Sequence, residues 1–302
     1  MEAANEATRS GFADGGHCSP ALRLWPTSPR SEDAAAAQAV IRRFIGARTL
    51  SLTAEAHHCR TRQLLFASYL APSIRPLYEF VAEACGASRL VDGGDWRDLA
   101  AGQIDVAFVC SPPLIWLSGA VEAIAAPVLR DARFRRRPLY CSDVVVARDA
   151  SHSSFGDLRG ARWAYNEPSS WSGYWVTLAQ IGNWSYFGEV VAAGYHQRAL
   201  RMVAAGKVDG AAIDCQVLAV ELREHPELAE QVRIVDSLGP VPIQPVVVRA
   251  DLNPEVKGRL QRRLFGLGGA VLERFFVERF VPAPDYSWVG AVVASRAPDP
   301  NR

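Results

Sequence analysis

Ala101-Gly102-Gln103-Ile104-Asp105-Val106-Ala107 returns later in the chain as Ala205-Gly206-Lys207-Val208-Asp209-Gly210-Ala211. Each copy follows an amphipathic helical pattern, set by Trp96, Leu99 and Ala100 in the first and by Leu200, Val203 and Ala204 in the second. Each runs into a short apolar stretch, 106–109 or 211–213. Gly102 and Gly206 stand where a helix C-terminus calls for a left-handed residue, and the aspartate after each turn starts a buried strand. Helix, turn and strand in that order form the unit of a parallel α/β fold. Chance likeness in an Ala/Gly-rich chain is the competing account.

Working outward, further strands are expected at 49–53, 123–129, 143–147, 162–165, 232–235 and 244–248. Helices are expected at 72–84, 173–181, 196–205, 216–223 and 254–276. This alternation predicts an α/β protein of two doubly wound lobes. The apolar runs 140–147 and 235–248 bracket the second copy and read as two crossings, a two-strand hinge. Lobe one then takes 47–142 and 240–285, and lobe two, 143–239, is inserted in it. Residues 286–302 form a tail, and 1–46 a disordered leader plus a helix capped by Ser31. A cleft between hinged lobes is a favoured ligand site.

Composition narrows the function. Of 302 residues, 49% are apolar and 22% charged, which excludes an intrinsically disordered chain. The 33 basic and 32 acidic residues leave a net charge of +1, not the basic excess of a nucleic-acid binder. Arg130-Asp131-Ala132-Arg133-Phe134-Arg135-Arg136-Arg137 reads as a solvated loop rather than a phosphate patch. The six cysteines form no C-x-x-C pair, and His57-His58 lacks a spaced third ligand, so neither metal nor cofactor is expected. No apolar run is long enough to insert in a membrane. An export signal is not visible either: 34–41 is interrupted by Gln38 and preceded by acids, and Arg42-Arg43 leads into a polar segment.

The sharpest local feature is Tyr165-Asn166-Glu167-Pro168-Ser169-Ser170-Trp171-Ser172-Gly173-Tyr174. A strand ends at Tyr165, Pro168 breaks the chain, and a helix starts near Ser172. Serine hydroxyls and free N–H groups at that N-terminus suit phosphate, phosphonate, sulfonate or carboxylate. Simple N-capping by Ser170 or Ser172, with Trp171 as an apolar anchor, accounts for the same residues. His196 opens the next helix, as an anion donor or as a cap. Asp214 ends the strand of the second repeat, at the sheet edge where α/β proteins bind ligands, or caps the helix beginning at Gln216. Trp171 and Trp116 are the tryptophans placed near the cleft.

Six pieces in order carry a family resemblance: 101–110 (AGQIDVAFVC), 137–146 (RPLYCSDVVV), 157–173 (DLRGARWAYNEPSSWSG), 194–200 (GYHQRAL), 205–214 (AGKVDGAAID) and 239–247 (GPVPIQPVV). Over roughly residues 49–268 the chain resembles the phosphate/phosphite/phosphonate-binding family of ABC-transporter substrate-binding proteins. The resemblance implies the type II periplasmic-binding-protein fold. It implies that Ser170, Trp171, Ser172 and Gly173 of the turn, with His196, hold an anionic head, and that Tyr69 contacts it from lobe one. Gln216 and Gln244 stand about where aminophosphonate-binding relatives place carboxylates, which argues against an amine-bearing ligand and leaves Asp214 as the nearby acid. Bulky Trp171, and Leu114 where relatives often carry tyrosine, depart from the family pattern and suggest a larger or more apolar ligand.

The leading expectation is therefore a solute-binding protein, not an enzyme. It closes around a small anionic solute for an ABC permease, in the periplasm or another extracytoplasmic space, without nucleic acid or cofactor. Two alternatives stand beside it. One is a cytoplasmic enzyme on the same fold, of the menaquinone- or thiamine-precursor type, using His196 with Asp214 as an acid/base pair. The other is a cytoplasmic solute sensor.

Overall fold

The computed structural model describes residues 63–87 and 89–296. The leader, the strand expected at 49–53, His57-His58, Cys18 and Cys59 lie outside the described residues. The strands are β1 (Leu65–Ser68), β2 (Arg89–Asp92), β3 (Val106–Phe108), β4 (Val121–Leu129), β5 (Leu139–Ala147), β6 (Arg162–Tyr165), β7 (Glu189–Ala192), β8 (Gly210–Asp214), β9 (Val232–Pro242), β10 (Val246–Arg249) and β11 (Val277–Val281). They form two sheets, ordered β11-β4-β10-β3-β1-β2 and β7-β6-β8-β5-β9.

The repeated aspartates explain why the two copies look alike. Asp105 accepts the backbone N–H of Leu65 at 2.9 Å, and Asp209 accepts that of Arg162 at 2.7 Å. Each carboxylate thus ties the start of one strand to the first residue of its parallel neighbour, β3 to β1 and β8 to β6. The backbone repeats the link, with N–H of Asp105 to the Leu65 carbonyl at 3.0 Å and Asp209 to Arg162 at 2.8 Å. Gly102 and Gly206 hold φ of +74° and +65°, the left-handed turn that delivers the aspartate. Only the second copy is preceded by a full helix, His196–Ala204. In the first, a single turn, Trp96–Asp98, capped by Asp95, replaces it.

The chain leaves the first sheet after β4 and returns to it at β10, so the crossings are residues 130–138 and 243–245. The run expected across 235–248 is divided between β9 in one sheet and β10 in the other. The arginine run is solvent-exposed at Arg130, Arg135, Arg136 and Arg137, as expected, but it is also the first crossing, pinned to both sides. Arg130 pairs with Glu273 and Arg136 with Glu278, beside or on β11, while Arg133 reaches into the second sheet. There its guanidinium bonds Asp143 of β5 at 2.7 and 3.3 Å, and the Ser237 hydroxyl of β9 donates to the same carboxylate at 2.6 Å. The helix expected over 254–276 is broken by glycines into Pro254–Phe265 and Ala270–Arg274.

The segment 286–302, expected as a tail, contributes the helix Ser287–Arg296. It packs on the helix Ser111–Trp116, with Val289 fully buried. The Tyr286 hydroxyl fastens its start to the Ile243 carbonyl at the second crossing, 2.6 Å away. Aromatic rings join the two halves of the molecule: Trp116 meets Trp175 edge-on at 6.4 Å, and Trp288 meets Trp171 at 5.3 Å.

A candidate anion site between the two sheets

A cavity of about 50 Å³ lies between the two sheets. The first sheet's side supplies Tyr69, directly after β1, with Tyr78 from the helix Arg75–Ala84 and Cys110 after β3. The second supplies Asn166, Glu167, Ser170, Ser172, Tyr195, His196, Asp214 and Gln216, while Gln244 comes from the crossing. Seven of the nine residues expected at the site line this cavity.

The turn after β6 is built on Ser170. Its hydroxyl accepts the Gly173 N–H at 3.2 Å, and its carbonyl takes the N–H groups of Tyr174 and Trp175 at 3.3 and 3.2 Å. The result is one widened π turn, Trp171–Trp175, that leads into the α-helix Val176–Ile181. Widened turns of this kind recur at functional sites. Ser170 is thus both an N-cap and a cavity residue. Ser172 lies 3.4 Å from it and shares a 2.8 Å hydrogen bond with His196 Nε2.

Two expectations are corrected here. The Trp171 indole is fully buried against Trp288, off the cavity lining, and the residue's backbone N–H donates to Cys110 Sγ at 3.1 Å. Its bulk fills core between the two halves, so it gives no support to a larger ligand. Gly173 also stands behind the lining: a Cβ there would come within 1.9 Å of Asn166 Oδ1. Its role is to leave room for the Asn166 side chain, which faces the site. Trp116, expected near the cleft, lies between Trp96, tilted against it, and Trp175, met edge-on, instead.

Asn166, Glu167 and Tyr195 were legible only as neighbours of the serine turn and His196. Tyr78 and Cys110 carried no local signal, because tertiary folding alone brings them to the cavity. The Tyr69 hydroxyl, with no protein partner among the described residues, is pushed up to about 12 by burial and by Asp98 and Asp95. It stays protonated and able to donate.

Asp214 is the most constrained group. Its Oδ1 accepts the N–H groups of Gln216 and Val217 at 2.8 and 3.2 Å, capping the helix Cys215–Glu224, and its Oδ2 accepts the Gln244 amide at 2.6 Å. Gln216 donates its own amide to the Phe275 carbonyl at 2.7 Å. Burial raises Asp214 from 3.8 to about 6, against the pull of those donors, and drives His196 from 6.5 down to about 3.

These shifts make opposite demands on stability. The unfolded chain binds a proton on His196 that the folded chain refuses, so that contribution is whole above pH 6.5 and is lost as pH falls toward 3. The folded chain holds a proton on Asp214 between about pH 3.8 and 6 that the unfolded chain releases, so that contribution is lost as pH rises through this window. Between pH 4 and 6 the two slopes nearly cancel. Asp214→Asn is expected to unmask the histidine, with stability falling by about 1.4 kcal/mol per pH unit from pH 6 to 4. Urea titrations across that range give the slope, and an unchanged profile would remove His196 as a buried neutral group.

The chain has known relatives in sequence and in fold. Residues 96–288 match the family model described as ABC transporter, phosphonate, periplasmic substrate-binding protein. A binding protein component of an ABC phosphonate transporter from Pseudomonas aeruginosa superposes with a TM-score of 0.64 at 18% identity, covering 78% of this chain and 86% of its own. PhnD1 from Prochlorococcus marinus, solved in complex with methylphosphonate, gives 0.66 at 14% identity over 77% and 97%. A Xanthomonas citri protein bound to ATP gives 0.59 at 20% identity over 78% and 99%. The two sheets and crossings are those of the type II periplasmic-binding-protein fold, and no helix among the described residues is long and apolar enough to cross a membrane. With its family model matched from the first repeat to the C-terminal helix, the chain belongs to the phosphonate substrate-binding family of ABC transporters.

Proposed function

We propose that this chain captures a small phosphonate- or phosphate-type oxyanion in an extracytoplasmic compartment and hands it to an ABC permease. The observation that carries the reading is the cavity itself. Hydroxyls of Ser170 and Ser172, backed by His196, face the Tyr69 hydroxyl across the two halves of the molecule. His196 Nε2 shares its hydrogen bond with Ser172 Oγ, so the neutral imidazole and the serine form one uncharged polar unit beside the ligand. Neutral donors in a closed site hold an anion without a counter-charge, as oriented dipoles do at an oxyanion hole.

Size limits the ligand. A water needs roughly 10–15 Å³ of such volume, so about 50 Å³ takes a group of a few heavy atoms, methylphosphonate rather than a nucleotide. The enzyme alternative has less support. His196 is bonded to Ser172 and Asp214 to Gln216, Val217 and Gln244, so each is engaged apart from the other.

Thermal unfolding with a panel of methylphosphonate, phosphite and phosphate tests the reading. At a ligand concentration 100 times Kd, stabilisation of about 2.7 kcal/mol is expected, and Ser172→Ala should weaken binding by tenfold or more, about 1.4 kcal/mol or above. A panel that leaves the melting temperature unmoved, or a ligand that is chemically turned over, would overturn it.

A further inference from the structure

Two thiols outside the anion cavity meet on the second sheet. Ser142 of β5 pairs with Asp214 of β8 in antiparallel register, and one step further along stand Cys141 and Cys215. Directly opposed antiparallel residues hold their Cα atoms about 4.5–5.5 Å apart, inside the span of about 4.4–6.8 Å that a disulfide bridges. The two thiols hydrogen-bond one another and are 3% and 5% exposed. The other two described cysteines are engaged elsewhere: Cys110 accepts the Trp171 backbone N–H, and the Cys85 carbonyl accepts from Arg263.

In a reducing compartment such thiols act as small apolar side chains, and their contact is packing alone. In an oxidising one, opposed thiols at this separation are joined. The extracytoplasmic reading above favours the second case. The position also has a use. Cys215 lies between Asp214 and Gln216, which line the cavity, and β5 is the strand that the first crossing enters.

We propose that Cys141 and Cys215 form a disulfide that staples the start of the helix Cys215–Glu224 to β5. The oxidant is an organic disulfide, either small or carried by a dithiol oxidase. One cysteine thiolate attacks it, forming a mixed disulfide and expelling a first thiolate. The second cysteine then attacks the mixed disulfide and expels the other. The protein gives up two electrons and two protons, and the oxidant becomes two thiols. Asp143 loses the weak Cys141 donor at 3.4 Å and keeps Arg133 and the Ser237 hydroxyl. The hydrogen bond with Cys215 and burial raise Cys141, and burial raises Cys215, so both are poor nucleophiles in the folded chain. The bridge is therefore laid down as the chain folds.

The test refolds the full chain in a buffer of oxidised and reduced glutathione, blocks remaining thiols with iodoacetamide and digests with trypsin without reductant. The expected product joins peptide 137–148, holding Cys141, to peptide 208–223, holding Cys215, and is two hydrogens lighter than the separate pair. A strong reductant should then lower the melting temperature of the bridged wild type by roughly 5 °C or more and leave that of Cys215→Ala unmoved. Alkylated Cys141 and Cys215, a bridge from either to a different cysteine, or an equal response of wild type and variant to the reductant would each overturn the proposal. Ligand plays no part in these readouts, so a failed oxyanion panel would leave the bridge standing, and a missing bridge would leave the oxyanion reading standing.

Discussion

Replacing Arg133 with alanine should cost about 3 kcal/mol or more, a large effect for a residue outside the cavity. Asp143, its partner, has a side chain only 2% exposed, and the guanidinium bonds it twice. Without it a buried carboxylate keeps the Ser237 hydroxyl and the weak Cys141 thiol as donors. The Arg133 side chain is 29% exposed, so water can partly replace it, which sets the loss toward the lower end of the buried-pair range. Adding Asp143→Asn to that variant should recover most of the loss, since no charge is then stranded. Arg136→Ala, in the same run but 74% exposed, should cost less than about 1 kcal/mol. Urea unfolding of the three variants checks the order, and equal losses for Arg133 and Arg136 would contradict it.

The second large effect is expected at Trp163, on the strand that leads into the serine turn. Its ring is fully buried, stacked on Phe187 at 4.6 Å and met edge-on by Phe155 at 5.7 Å. Trp163→Ala should cost about 3–5 kcal/mol through the cavity it leaves. At about 2–4 °C per kcal/mol for a domain of this size, that lowers the melting temperature by roughly 10 °C. Trp163→Phe should cost far less, about 1.5 kcal/mol or under. It keeps the stack, and it removes an indole N–H that has no partner among the described residues. Equal costs for the two substitutions would show that the indole N–H is bonded, or that the ring carries no packing.

Much of the fold was legible because its signals were local. The repeat was read from glycines and aspartates whose jobs, a left-handed turn and a clamp on the neighbouring strand, need those residue types. The strand at 162–165 was read to the residue, since Gly160 and Pro168 bound it. What escaped were short elements with no period to read. β1, β2 and β7 have four residues each, and β2 and β7 lie half-exposed at sheet edges. The helix read as continuous over 254–276 follows an apolar pattern that the glycines at 266–269 interrupt, with Gly269 at a φ of +98°.

The site divides in the same way. The serine turn, His196 and Asp214 stood out because each begins or ends an element. Tyr69, Gln216 and Gln244 came through family resemblance, because nothing in their immediate sequence marks them. Trp171 misled because a large residue between two serines looks like a ligand contact. Which way it faces depends on Trp288, more than a hundred positions away, and no local rule carries that information.

The edge-on meeting of Trp116 and Trp175 has an optical consequence. One indole belongs to the first sheet's half and the other to the second, where its N–H is anchored to the Pro168 carbonyl at 2.8 Å. Two such chromophores at 6.4 Å and 66° couple their transitions into a circular-dichroism couplet whose strength falls steeply with separation. Any opening of the two halves would bleach that couplet, and any tightening would deepen it. The molecule thus carries a native gauge of its own aperture, one that can be read during solute capture with no dye attached.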